Sequence, residues 1–149
     1  MFRRWRRIDQ VGLELARIDI EKHGVTVAST LVDGSGHPFS LRYIWTLTPQ
    51  WRTRTLRIEH MNGDDRWLTI DRVGDSSWRL DNKPAPHLEG CTELDLSATP
   101  FCNTLAMRLL GRDGALTADE AASVRDLVSL RRMDRVCGRP VTALPEVSP

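Results

Sequence analysis

The chain reads as a mainly β protein: an antiparallel meander forming an open or incomplete, strongly curved barrel, with one C-terminal helix. Three observations predict this. Apolar and polar residues alternate with period two through several segments of the first hundred or so residues, which places successive side chains on opposite faces of a strand. Those segments are short and separated by clusters of Gly, Asn, Asp and Pro, a spacing that suits sequential antiparallel pairing and leaves no room for βαβ crossovers. The last third then exchanges the period of two for a helical one.

Residues 13–20 and 25–32 form the first expected hairpin, broken at His23-Gly24, and Asp33-Gly34-Ser35-Gly36 leads out of it. The clearest strand follows: Phe39, Leu41, Tyr43, Trp45 and Leu47 alternate with Ser40, Arg42, Thr46 and Thr48, with Ile44 interrupting the polar face. Pro49 ends it. Trp51 opens a strand rich in Thr and β-branched residues that runs to Asn62-Gly63-Asp64-Asp65, where Asn-Gly tolerates the positive φ of a tight hairpin. Residues 66–73 return, Gly74-Asp75-Ser76-Ser77 turns into Trp78-Arg79-Leu80, and Asp81-Asn82 turns again. Residues 92–97, with Leu94 and Leu96 against Glu93 and Asp95, read as the last of about seven strands. Gly90 supplies a bulge or bend into it and Pro100 an exit turn.

The sheet is expected over residues 1–110. A helix over 111–137 follows, packed on or beside the sheet, and a flexible Pro-containing tail over 138–149 completes a single domain. Thr117-Ala118-Asp119-Glu120 is a capping box, in which hydroxyl and carboxylate satisfy backbone donors reciprocally. Ala121, Val124, Leu127, Val128 and Leu130 then recur at helical spacing, and Gly138 stops the helix.

Composition narrows the function classes. The 149 residues include 21 Lys and Arg against 20 Asp and Glu, a net charge of +1 that argues against nucleic-acid binding, which needs a large cationic excess. Lys22 and Lys83 are the only lysines, so the basic character is Arg. Cys91, Cys102 and Cys137 are odd in number and contain no CxxC, which points to reduced thiols and a cytoplasmic protein rather than a disulfide scaffold or a zinc site. No apolar run approaches a membrane span, and no secretory leader follows the basic start. His23, His37, His60 and His87 stand singly, without HxH or HExxH spacing, and there is no GxSxG elbow. No metal, no cofactor and no catalytic residue is expected, and the chain is read as not an enzyme.

Arg–Trp interleaving is the distinctive feature. Arg3-Arg4-Trp5-Arg6-Arg7, Trp51-Arg52-Thr53-Arg54 and Trp78-Arg79 combine bidentate donors for phosphate or carboxylate with flat apolar faces. Such pairs suit a ligand with an anionic or polyhydroxylated head and an apolar body. They are equally served by ordinary strand packing, in which Arg stems cover apolar surface and the heads stay wet.

Several segments resemble the bacterial putative glycolipid-binding family: Trp5-Arg6-Arg7-Ile8-Asp9, Trp51-Arg52-Thr53-Arg54, Trp78-Arg79-Leu80-Asp81, Leu88 through Leu96, and Thr99-Pro100-Phe101-Cys102-Asn103-Thr104-Leu105. The last two carry the most specific string, GC-x-x-x-DL…TP-x-x-N-x-L, and the resemblance covers about residues 5–110. It implies an antiparallel sheet curled into an incomplete barrel, and a binding module for an amphiphile rather than an enzyme. Family members continue with further strands where this chain has the capping-box helix and proline tail, the pattern of either a short variant or a truncated product.

The leading expectation is therefore binding of a glycolipid or other amphiphilic small molecule in a curved β-sheet cavity. Phe39, Leu41, Tyr43 and Trp45 are expected to line its interior, and Arg42, Arg52 and Arg54 to meet the head group. Trp51, Trp67, Trp78 and Asn103 complete the candidates, Asn103 with a structural role weighed equally. The alternative is a family remnant or a structural or interaction protein with no ligand, its strand faces filling a solid core. A homodimer through an uncovered sheet edge is the expected protein partnership.

Overall fold

A computed structural model describes residues 1–6, 11–34, 38–61, 67–91, 93–96 and 98–110. It divides into two compact units, Met1–Glu89 and Gly90–Pro149. The first is one eight-stranded sheet: β1 (Phe2–Arg6), β2 (Gly12–Glu21), β3 (Gly24–Asp33), β4 (Phe39–Leu47), β5 (Thr53–His60), β6 (Trp67–Arg72), β7 (Trp78–Leu80) and β8 (Lys83–Pro84). Every strand pairs antiparallel with its neighbours in sequence, and the order runs β1 to β8 without closing into a barrel. The expected meander is thus the observed one. Against the seven strands expected, β1 and β8 are added and the strand over residues 92–97 drops out, β1 because Phe2–Arg6 takes up the free edge of β2 despite its arginines.

Register fixes the two faces, since directly opposed residues share one. On the buried face lie Ala16, Ile18, Val25, Val27, Leu31, Leu41, Tyr43, Trp45, Leu47, Leu56, Ile58, Ile70 and Trp78. Polar groups on that face are satisfied in place. Glu14 Oε1 accepts from Ser29 Oγ at 2.6 Å and from the Tyr43 hydroxyl at 2.7 Å, and Trp45 Nε1 donates to Thr53 Oγ1 at 2.9 Å. Tyr43 and Trp45 also meet edge to face, with centroids 6.2 Å apart. Toward β7, Arg72 donates through Nε to the Thr53 carbonyl at 2.6 Å, and its guanidinium lies 4.3 Å from the centroid of the Trp78 ring.

Turns follow the local chemistry. The β2–β3 hairpin turns through Lys22-His23, and Gly24 lies so close to β4 that an added Cβ would stand 2.3 Å from the Leu47 carbonyl oxygen. Asp81 (φ 48°) and Asn82 (φ 65°) form a two-residue hairpin loop between Leu80 and Lys83, with both residues in the left-handed region that matches strand twist. Between β4 and β5 the register slips at Thr46/Leu47, so Leu47 opposes Thr53 and Arg54 is the bulged residue. The expected strand start at Trp51 is corrected accordingly. Trp51 sits in the preceding turn with φ 63°, its N–H donating to the Thr48 carbonyl at 2.9 Å.

In the second unit the expected strand over residues 92–97 is not formed: Glu93–Leu96 joins no ladder. The backbone of Leu96 is instead engaged locally by a thiol, its N–H donating to Cys102 Sγ at 2.9 Å and its carbonyl accepting from that group at 3.3 Å. Gly90 does bend the chain, at φ 84°. Residues 101–110, expected within the sheet segment, form the helix α1 (Phe101–Leu110). Thr99-Pro100 is a helix start rather than an exit turn: Thr99 Oγ1 accepts from the Phe101 N–H at 3.1 Å, and Pro100 needs no amide partner there. The Asn62–Asp65 turn, the helix expected over 111–137 and the tail over 138–149 lie outside the described residues.

Candidate functional site

Because the core side chains fill one side of the sheet, open space lies on the other. The residues between the core positions of β1–β6 point outward: Phe2 on β1, Leu15 and Arg17 on β2, Ala28 and Thr30 on β3, Arg42 and Ile44 on β4, Arg57 and Glu59 on β5, and Trp67 on β6. Phe2, Leu15, Ala28, Ile44 and Trp67, with Arg17, Thr30 and Arg42, surround a depression of about 430 Å³. That volume lies within the range of small-molecule sites.

The floor of the depression is apolar and its borders are cationic. Arg17 Nε donates to Asp19 Oδ2 at 2.7 Å at one border. At the other, Arg42 Nε donates to Glu59 Oε2 at 2.7 Å. The Trp67 ring meets two guanidiniums, that of Arg42 at 5.2 Å and that of Arg57 at 4.8 Å from its centroid. Half-exposed ion pairs of this kind contribute less than about 1 kcal/mol each, and an exposed cation–π contact about 0.5–1 kcal/mol. Their larger effect is geometric. They hold two Arg forks beside one aromatic ring at the rim of an apolar trough, an arrangement able to take an acidic or hydroxyl-rich head and lay an alkyl body along the strands.

The sequence candidates separate into three places. Arg42 and Trp67 meet in this rim. Leu41, Tyr43 and Trp45 send their side chains to the opposite, buried face at 0% exposure, with half-buried Phe39 and buried Trp78 on that side as well, although Tyr43 also borders the depression from within β4. Trp51, Arg52 and Arg54 cluster at the β4–β5 turn, away from both groups: Trp51 and Arg52 are half-buried and Arg54 is exposed. Asn103 sits in the first turn of α1, in the second unit. Phe2, Leu15, Arg17, Ala28 and Arg57 were not among the candidates. Ile44, which interrupts the polar face of β4, was a sequence signal that the outward face carries apolar surface. Among the described residues, no group of three or more His, Cys, Asp or Glu could hold a metal ion.

A family model described as "Putative glycolipid-binding" matches residues 2–125. The chain belongs to that family. The glycolipid-binding family match includes the whole of the sheet and α1. A crystal structure of a DUF1089 family protein from Pseudomonas aeruginosa is similar in fold, with 27% identity and a TM-score of 0.53 over 72% of this chain. The chain spans 58% of the length of that protein. Comparison with curated proteins returns no match. No helix among the described residues is long and apolar enough to cross a membrane.

Proposed function

We propose that this glycolipid-binding family member is a binding module, not an enzyme, for an amphiphile that carries an anionic or sugar head on an apolar body, and that it takes this ligand on the outward face of the sheet. The observation that carries the reading is the pairing of an apolar depression, floored by Leu15, Ala28 and Ile44, with the Arg42–Trp67–Arg57 rim. Guanidinium forks suit phosphate, carboxylate or vicinal hydroxyls. The strand-lined floor suits a single alkyl chain. The family description favours a glycolipid, and the buried thiols of Cys91 and Cys102 fit a cytoplasmic setting.

Native mass spectrometry and calorimetry with sub-micellar lysophosphatidylglycerol and dodecyl maltoside test it. One-to-one binding of either amphiphile is expected, and it is expected to fall about tenfold in Ala28→Trp, which fills the depression from an exposed position. Binding unaffected by Ala28→Trp would move the site elsewhere. No binding of either amphiphile would favour the alternative of a scaffold without a ligand, a reading supported by the complete burial of Leu41, Tyr43 and Trp45.

A further inference from the structure

The outward face carries a second feature at the end of β2 and β3 that lies beyond the depression. Leu13 and Val32 are directly opposed there, 55% and 50% exposed, and Val11 beside them is 78% exposed. Arg6 is paired with Leu13 and Arg4 with Leu15, so both arginines share this face, and both are exposed. Among the described residues of β1–β3, the acidic side chains on this face, Asp19 and Glu21, belong to the other end of β2, where Asp19 engages Arg17. This end of the sheet surface thus presents three large aliphatic side chains with two arginines and, among the described residues of these strands, no facing acid. Singly exposed aliphatic residues are ordinary, but a contiguous set ringed by one sign of charge marks an interaction surface.

We infer that this face docks on an anionic lipid bilayer, with Val11, Leu13 and Val32 entering the interfacial zone and Arg4 and Arg6 meeting acidic head groups. Charge decides between occupants. A second copy placed face to face would oppose these arginines with their own equivalents, whereas an anionic surface complements them. Arginine stems also reach along apolar surface while their heads stay at head-group level. The inference deepens the proposed function and rests on it in part, because the depression opens on the same face, with Leu15 at its near side. A ligand held there would exchange with the bilayer without crossing water.

Vesicle flotation of the full chain tests it, using phosphatidylcholine alone and an equimolar mixture of phosphatidylcholine and phosphatidylglycerol. Retention on the mixed vesicles only, weakening as salt is raised, is the expected result. Arg6→Glu removes a cation, and a loss of about fivefold or more follows from roughly 1 kcal/mol per basic residue at such a surface. Leu13→Ser lowers retention at all salt concentrations. Neither Arg6 nor Leu13 lines the depression, so both variants keep lysophosphatidylglycerol binding if the ligand site stands, and loss of one function without the other identifies which reading fails. Equal retention on both vesicle types, or retention unchanged in Arg6→Glu and Leu13→Ser, overturns the docking inference. So does concentration-dependent dimerisation of the parent chain that Leu13→Ser abolishes, which would give the face to a second copy.

Discussion

Tyr43 shows how a polar atom is accommodated in the middle of this core. It is fully buried, and its hydroxyl donates to Glu14 Oε1 at 2.7 Å alongside Ser29 Oγ at 2.6 Å. Tyr43→Phe keeps the ring and its edge contact with Trp45 but takes one donor from a buried carboxyl. Ser29 still donates to that oxygen, so the loss is that of one hydrogen bond, about 1 kcal/mol, and urea denaturation is expected to show a lower midpoint at unchanged slope. An unchanged midpoint would mean that the hydroxyl contributes nothing net. Gly24 makes a second demand at this scale. A methyl added there would meet the Leu47 carbonyl oxygen at 2.3 Å, and no rotamer can relieve the clash, because the obstacle is backbone. Gly24→Ala is expected to destabilise by roughly 1–3 kcal/mol, the range for overpacking, whereas Gly90→Ala meets no atom within 4 Å and strains only its φ of 84°. Both glycines have a positive φ, 155° at Gly24 and 84° at Gly90, so backbone strain is common to the two variants and the extra loss of thermal stability in Gly24→Ala reports the crowding against Leu47.

At the scale of elements, alternation was legible where one face is uniformly apolar, as in β4, and ambiguous where both faces carry apolar residues. In β2 the buried positions include Glu14 and Ala16 while Leu13 and Leu15 face outward. Composition alone would not choose that orientation. The choice comes from the two-residue turn at Lys22-His23, which locks β2 to β3 in the register that sets Ile18 beside Val27. The outward depression was therefore hidden from the sequence, since its floor depends on register between three strands. Residues 92–97 failed for another reason: alternation over so short a stretch has no strand to pair with, and the Cys102 thiol takes up the Leu96 backbone. The start of α1 was missed for a third reason: Pro100 serves an exit turn and a helix start equally well, and only the bond from the Phe101 N–H to Thr99 Oγ1 marks it as the latter. Thr99→Ala removes the cap, which is worth about 1 kcal/mol. Amide exchange within α1 should accelerate about fivefold while the β3 and β4 amides keep their rates, and Thr99→Ser should restore the parent behaviour. Uniform acceleration across both units would show that the cap acts on global stability instead.

A meander that does not close keeps two edges, and the whole molecule has to manage them. At one end β8 is only two residues long and contains Pro84, which has no N–H to offer an incoming strand. At the other end β1 is five residues long, and it places Arg3, Arg4 and Arg6, all exposed, along the rim. An antiparallel copy docking on β1 would set arginines opposite arginines, an arrangement that works against the edge-mediated homodimer suggested by the open topology. The arginine-rich start thus places like charges along the open edge, whatever else it contacts. Arg3→Thr/Arg4→Thr/Arg6→Thr converts β1 into a neutral strand of good β-propensity with the same register against β2. Sedimentation velocity is expected to show concentration-dependent association of this variant beyond that of the parent chain, while the matching triple Lys variant sediments as the parent does. If the Thr variant sediments as the parent at every concentration, charge is not what guards the edge, and the shape or twist of β1 must do so.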